Sequence, residues 1–417
     1  VAKKVRVRTL SNGLRVIFYN YNIDWVQGIL LNRAGPRVEQ PEELGLTHIF
    51  EHLCARNAKA HFEMENLGEG LENAYTGGED VSYWFSFLKR NALAGIESFF
   101  RLWTAPVTVE DFEREREVLQ IEYAERNSVA NPGAVLYDLL MRTGWQGHPL
   151  RFDDTLLWHR NLSRLTYEQF HKFRPRINCG NNTVLVLIGH IPIRKLMEVL
   201  ERTFGMLPVG HRPTIKSRPL KKISRFTVVK KSGELDLAYC LLAFPFPKLK
   251  SRSRRALELI SGHLGDSEHF SSALFQKVRE DRSLVYSIFT DTFRFSDSGA
   301  FYVFWVCPPK NVQPVLDIIR REMRGWVNGK ISAVEFERAR HVLALKWESS
   351  QHYSDYIVGE LAEELTFGGK VSNPRLWAKT ARSMRRSDAI EVARRYLKPN
   401  QALLTMYGKV GNLRPRF

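Results

Sequence analysis

Runs and alternations of apolar residues divide the chain into distinct elements. Val5–Leu10 and Leu14–Tyr19 read as two strands, and Asn12-Gly13 between them supplies the backbone freedom a tight hairpin turn needs. Val26–Leu31 is a third apolar strand, ended by Ala34-Gly35-Pro36. Helical periodicity runs from Leu44 to Ala55 and again over 90–104, 108–128, 132–143, 164–173 and 193–204. The apolar stretches Asn182–Gly189, Leu237–Pro247 and Phe301–Pro309 read as buried strands. A bilayer span takes ~18 or more apolar residues, so none of them predicts a transmembrane segment. Phe293 to Trp305, aromatic and interleaved with small and polar residues, reads as a strand pair packed on a sheet.

The pattern breaks between 207 and 222. LPVGHRPTIKSRPLKK has three prolines and five Lys or Arg but no periodicity, the composition of a linker. The halves on either side resemble each other. VTVEDFEREREVLQIEY at 107–123 aligns with ISAVEFERARHVLALKW at 331–347, at an offset of 224. Thr166–Pro175 and the strand ending at Gly189 likewise parallel Ser387–Pro399 and the strand ending at Gly408. A repeat of this length is a domain duplication. The expected fold is α+β, with two homologous domains, 1–206 and 223–417, each a mainly antiparallel sheet covered by helices and joined by the linker 207–222.

Candidate chemistry concentrates in the first half, at GLTHIFEHLC (45–54). Four residues separate His48 from His52, so on a helix the imidazoles share a face ~6 Å apart along the axis and can bind one metal ion. Glu51 points to the same side, where a carboxylate can take a proton from a water held by that metal. This is the H-x-x-E-H arrangement. A catalytic zinc also needs a third protein ligand, with one position left open. Glu115 and Glu122, two helical turns apart, place carboxylates on one face of the 108–128 helix. Their counterparts in the repeat are Ala339 and Lys346, so the acidic face exists only in the half that has the histidines.

With these residues the chain resembles the pitrilysin, insulysin and mitochondrial processing peptidase family of zinc metallopeptidases. The resemblance extends to Leu67-Gly68, to the edge segment Asn73-Ala74-Tyr75-Thr76, to the helix ending in Glu122 and to His148-Pro149-Leu150. In the second half it includes Leu274-Phe275-Gln276, Arg279-Glu280 and Tyr286. It implies one zinc per chain held by His48, His52 and Glu122, with Glu51 as general base and Glu115 orienting a ligand histidine. Asn73 and Ala74 would pair with substrate backbone at a sheet edge, and Arg279 and Tyr286 would reach a peptide near the scissile bond. The second domain, lacking metal ligands, would contribute that pair. The implied activity is endoproteolysis of peptides or unfolded polypeptides inside a closed chamber; the alternative is a non-catalytic or partner-dependent subunit of a processing-peptidase-like heterodimer. Family members close around substrate as four domains, so a homodimer with sites completed in trans is expected, or a heterodimer with a related chain. The pattern departs from the family at Leu53-Cys54-Ala55-Arg56-Asn57-Ala58 and at Arg151.

Composition adjusts this picture only at the margins. The 62 Lys+Arg and 45 Asp+Glu give +17, a balance compatible with nucleic acid, an anionic surface or acidic peptides. The basic residues are scattered and no recognition motif accompanies them, so no nucleic-acid partner is expected. Cys54, Cys179, Cys240 and Cys307 lie far apart with no C-x-x-C pair, and no disulfide is expected. The opening VAKKVRVRTL has no apolar signal core, so a targeting segment is expected to be absent or already removed. A soluble protein follows, cytoplasmic or periplasmic in a bacterium and in an organellar matrix in a eukaryote.

Overall fold

The computed structural model describes residues 5–68, 70–215, 217–265 and 270–417. The chain begins with the hairpin β1 (Val5–Thr9) and β2 (Arg15–Asn20), then β3 (Trp25–Arg33), α1 (Leu46–Ala55), α2 (Ala58–Glu65), β4 (Leu71–Thr76) and β5 (Asp80–Leu88). Helices α3 (Ala92–Thr104), α4 (Val109–Arg126), α5 (Pro132–Gly144), α6 (Thr155–Leu162) and α7 (Tyr167–Ile177) lead to β6 (Thr183–Gly189) and α8 (Ile193–Arg202). Next come β7 (Thr227–Ser232), β8 (Ala238–Pro247), α9 (Ser251–Gly265), a π-helical stretch Phe275–Glu280, β9 (Ser287–Arg294) and β10 (Ser298–Cys307). Last are α10 (Val312–Val327), α11 (Ala333–Ser349), α12 (Ser354–Glu363), α13 (Trp377–Arg382), α14 (Arg386–Tyr396) and β11 (Leu403–Gly408).

Two sheets organise these elements, with the α+β character the sequence predicts. The first has the order β1-β2-β6-β3-β5-β4 and the second β7-β11-β8-β10-β9. Apart from β1, the two are the same design. β2 pairs parallel with β6 as β7 does with β11, and every other neighbouring pair is antiparallel. The register of β1 against β2 follows from the turn: Gly13 takes φ +85, a left-handed conformation open to glycine. Asn12 anchors that turn, its amide donating to the Phe204 and Leu207 carbonyls.

Contacts divide the chain into two units that are not sequential. One unit comprises Val1–Tyr123, Leu156–Lys216 and Ser350–Pro374; the other comprises Ala124–Thr155, Ser217–Ser349 and Arg375–Phe417. The halves therefore exchange a segment each. In the second unit α5 packs on β8 and β11, and Leu136, Leu140, Met141 and Trp145 share a fully buried cluster with Leu403 and Ala243. Trp145 Nε1–H donates to Ser298 Oγ at 3.0 Å, and buried His148 lies 3.2 Å from Asp297. In the first unit α12 packs on β3 and β6, with Ile357, Val358 and Leu361 buried. Ser354 takes a hydrogen bond from Trp25 Nε1 at 3.0 Å and donates to Gln27. All four cysteines are buried and unpaired. Among the described residues no helix is long and apolar enough to cross a membrane.

Asp138 on α5 gives this packing a pH dependence. Burial pushes its carboxyl up to about 7, Asp154's charge adding to the shift while the Thr155 hydroxyl bond and Arg126 oppose it. A carboxyl raised in the folded state favours folding fully below its unfolded pKa, and that advantage is lost as pH climbs towards 7. Asp138→Asn is therefore expected to raise stability near pH 8 by about 2 kcal/mol and to have little effect near pH 4. Denaturant midpoints at the two pH values check this, and equal shifts at both would refute it.

Candidate active site

The site is built on α1, α4 and β4, from residues that all belong to the first unit. The N-terminal end of α1 is fixed by a residue well upstream. Glu39 is buried, and its carboxylate accepts from Gly45 N–H at 3.1 Å and Thr47 N–H at 2.6 Å. A carboxylate at a helix N-terminus satisfies donors that the helix itself cannot. Burial nevertheless pushes its carboxyl up to about 7, against the pull of the Thr47 and Gly45 bonds. Gly45, at φ +100, makes the left-handed turn into the helix.

From this anchored turn, α1 presents His48, Glu51 and His52 on one side. Their rings and carboxylate form a cluster whose ligand-type atoms all lie within 4.8 Å of one another. On α4, Glu122 closes the set: its two oxygens lie 3.6 Å from His48 Nε2 and 3.4 Å from His52 Nε2. Zn–N and Zn–O bonds of ~2.0–2.1 Å at tetrahedral angles separate ligand atoms by about 3.3 Å, so the spacing fits a zinc ion. The other ring nitrogens are already engaged. His48 Nδ1 is 2.9 Å from the Tyr123 hydroxyl and His52 Nδ1 is 3.0 Å from Glu115 Oε2. With the protons on Nδ1, both rings turn their Nε2 lone pairs towards Glu122, the tautomer a metal ligand requires. The donor set of two imidazoles and a carboxylate fits zinc.

Glu51 stands beside this set, its Oε2 3.9 Å from His48 Nε2. Thr76, the last residue of β4, donates its hydroxyl to the same oxygen at 2.5 Å. Burial lifts the Glu51 carboxyl above its ordinary range, and Glu122's charge adds to this, while the Thr76 bond and His52 act in the opposite direction. A carboxylate so placed can hold a proton between two chemical steps. Glu122 is 40% exposed at its side chain, against 9% for Glu51, so the cluster opens to solvent on the Glu122 side.

β4 also carries Asn73 and Ala74. It is an edge strand of the first sheet, paired among the described residues with β5 alone, with a register shift between Leu71 and Asn73. Ala74 N–H folds back onto Asn73 Oδ1 at 2.9 Å. The other two residues singled out in the sequence belong to the second unit. Arg279 is exposed, with its guanidinium 4.9 Å from the Phe275 ring. Tyr286, just before β9, is 76% exposed.

Four neighbours escape a reading of the motif alone. Thr76 lies inside the quoted edge segment, and Tyr123 directly follows Glu122. Arg56, where the sequence departs from the family pattern, forms an ion pair with Glu115. Glu39 carries no local signal, because its bond partners are six and eight residues downstream.

The duplicated unit carries different residues at the corresponding positions. Tyr123 corresponds to Trp347 at the offset of 224, and Leu157-Trp158 resembles Leu376-Trp377 at an offset of 219. His48 meets Tyr123 and Trp158 at ring distances of 5.4 and 6.1 Å. In the second unit Arg255, on α9, lies 4.0 Å from the Trp347 ring and 5.7 Å from that of Trp377. Arg255 thus matches His48, Glu258 matches Glu51, and Leu259, fully buried, matches His52. A bond of 2.9 Å joins Arg255 to Glu258. A buried guanidinium thus stands where the first unit has His48, and Lys346 stands where it has Glu122.

Comparison with known proteins agrees with this division. A family model described as "Insulinase (Peptidase family M16)" matches residues 24–153, and one described as "Peptidase M16 inactive domain" matches 164–343. The chain belongs to peptidase family M16. The first match contains all five acidic and histidine residues of the site; the second contains Arg279, Tyr286 and the Arg255 replacement. The M16 chain is 24% identical over 405 residues to a Rickettsia bellii protein named an uncharacterized zinc protease, covering 93% of this chain and 94% of that protein. It is 25% identical over 394 residues to the probable mitochondrial-processing peptidase subunit beta of Schizosaccharomyces pombe, covering 89% and 84%. Its fold matches the crystal structure of a protease from Helicobacter pylori with a TM-score of 0.87 and 20% identity, over 98% of this chain and all of that one.

Proposed function

We propose that the chain is a zinc-dependent endopeptidase whose ligands are His48, His52 and Glu122. One observation carries this reading: the Nε2 atoms of His48 and His52 each lie within 3.6 Å of an oxygen of the Glu122 carboxylate, with each Nδ1 already hydrogen-bonded. Zinc bound there would acidify a water and polarise the scissile carbonyl. Glu51 would take a proton from the attacking water as the water oxygen adds to the carbonyl carbon. It then delivers the proton to the leaving nitrogen as the C–N bond breaks, so the carboxylate is regenerated each cycle. Thr76 holds the Glu51 carboxyl in place, and Glu115, held by Arg56, fixes the His52 ring.

The peptide would bind as an added strand on β4. Main-chain pairing at Asn73 and Ala74 carries an extended segment along the edge towards Thr76, whose hydroxyl touches Glu51. Arg279 and Tyr286 would add contacts to the same peptide, in the chain's own site or in that of a second copy or a related subunit. A non-catalytic role is the weaker reading, since every ligand and the base are present in the first unit.

The test is metal content together with cleavage of a quenched-fluorescence peptide. About one zinc per chain is expected, with activity lost to a chelator and restored by zinc. A chain that cleaves equally well after complete zinc removal would sink the proposal.

A further inference from the structure

We propose that a cavity in the second unit binds a small carboxylate group, independently of any peptidase activity. The cavity, of about 200 Å³, lies between the C-terminal part of α9, the segment entering the Phe275–Glu280 helix, and α11. His263, Ser272, Gln276, Lys277, Arg338 and Ala339 line it. The duplication explains why it exists. Matching Arg255 to His48 on α9 places His263 opposite Arg56, and the offset of 224 places Ala339 opposite Glu115. In the first unit the Glu115 carboxylate fills the space between His52 and Arg56. In the second unit the side chain ends at Cβ, and the carboxylate's place is left as a void.

The lining suits the group that is missing. Ser272 is 4% exposed, and its Oγ is buried without a hydrogen-bond partner. An unpaired buried hydroxyl costs about 1–3 kcal/mol, which an acceptor in the cavity would relieve. Arg338 has no ion pair among the described residues, whereas Lys277 is bound to Glu322 at 2.7 Å. One acid, Glu335, also lines the cavity, but its Oε2 is taken up by the Ser332 N–H and hydroxyl at the start of α11. His263 packs edge-on to Trp326 at 5.4 Å and offers a ring nitrogen as donor. Ala339 and Val342 give an apolar floor for a short aliphatic stem. A guanidinium fork, a hydroxyl and an imidazole over an apolar floor recognise a planar carboxylate.

The experiment titrates the full-length chain with propionate, with N-acetylalanine as a chain-end mimic, and with inorganic phosphate. Saturable millimolar binding of a carboxylate is expected, weakened about tenfold by Arg338→Ala and abolished by Ala339→Glu, which refills the void. Tighter binding of N-acetylalanine would point to peptide ends, and of propionate to acidic side chains or free acids. Ala339→Glu should also melt higher than Ala339→Gln at pH 7, the difference closing at about pH 4 as the new carboxyl protonates. Phosphate binding without carboxylate binding, carboxylate binding unaffected by both substitutions, or an Ala339→Glu chain that melts below the Gln variant would each overturn the assignment.

Discussion

Glu51→Gln is expected to lower kcat for peptide cleavage by about 10²–10⁴-fold while leaving zinc content unchanged. The amide keeps the shape of the side chain and still accepts the Thr76 hydroxyl, so the surroundings are preserved. What it loses is the capacity to take a proton, on which both bond-making and bond-breaking steps depend. Glu51 is not among the three proposed ligands, His48, His52 and Glu122, so metal affinity should survive. Zinc analysis beside single-turnover cleavage separates the two effects. Cleavage within about twofold of wild type would remove Glu51 from the mechanism, and loss of zinc in parallel would make it a ligand instead. The same variant reports on assembly. Mixed with Arg279→Ala, it should regain activity above either parent if Arg279 serves a second copy's metal, and should not if each chain is self-sufficient.

Severing the chain in its linker should be nearly as damaging to stability. Residues 1–206 and 223–417, produced separately, are each expected to fail to give a cooperative melt, and to recover one when produced together. Each half would lack the helix that covers its own sheet. The 223–417 fragment loses Leu136, Leu140, Met141 and Trp145, all fully buried. At ~1.5–3 kcal/mol for each buried side chain, about 6–12 kcal/mol is withdrawn, comparable with the ~5–15 kcal/mol that holds a domain together. The 1–206 fragment loses Ile357, Val358 and Leu361 from its sheet in the same way. Calorimetry on each fragment and on the mixture decides the matter. A sharp transition in either fragment alone, near that of the full chain, would show that the exchange is dispensable.

That exchange marks the boundary of what the sequence discloses. Periodicity reveals that α5 and α12 each have an apolar face, but an apolar face does not name the sheet that will cover it. The predicted hairpin, the helices at 44–55, 108–128 and 132–143, and the buried strands all appear, because each is encoded over a few consecutive residues. Short, weakly patterned α2 and the exposed edge strand β4 left less trace: β4 alternates poorly, and only Tyr75 among its large apolar residues is prominent on the surface. At the site, helical spacing alone puts His48, Glu51 and His52 on one face and Glu115 and Glu122 on another. That the two faces meet, and that Tyr123, Arg56 and Thr76 complete them, depends on packing that spacing does not specify. The repeat helped most. It singles out the acids that accompany the histidines, and its second copy places Arg255 opposite His48.

Arg255 has a consequence for how the protein meets scarcity. If zinc binds as proposed, the first unit would borrow its central cation from solution and could surrender it to a chelator, to acid or to dilution. The second unit carries a guanidinium of its own, covalently attached and permanently charged, lying over Trp347 and beside Trp377. Metal starvation should therefore act on one side only. On that reading the second unit would keep its helix packing whether or not the first holds zinc. Such a chain can be assembled before it is armed.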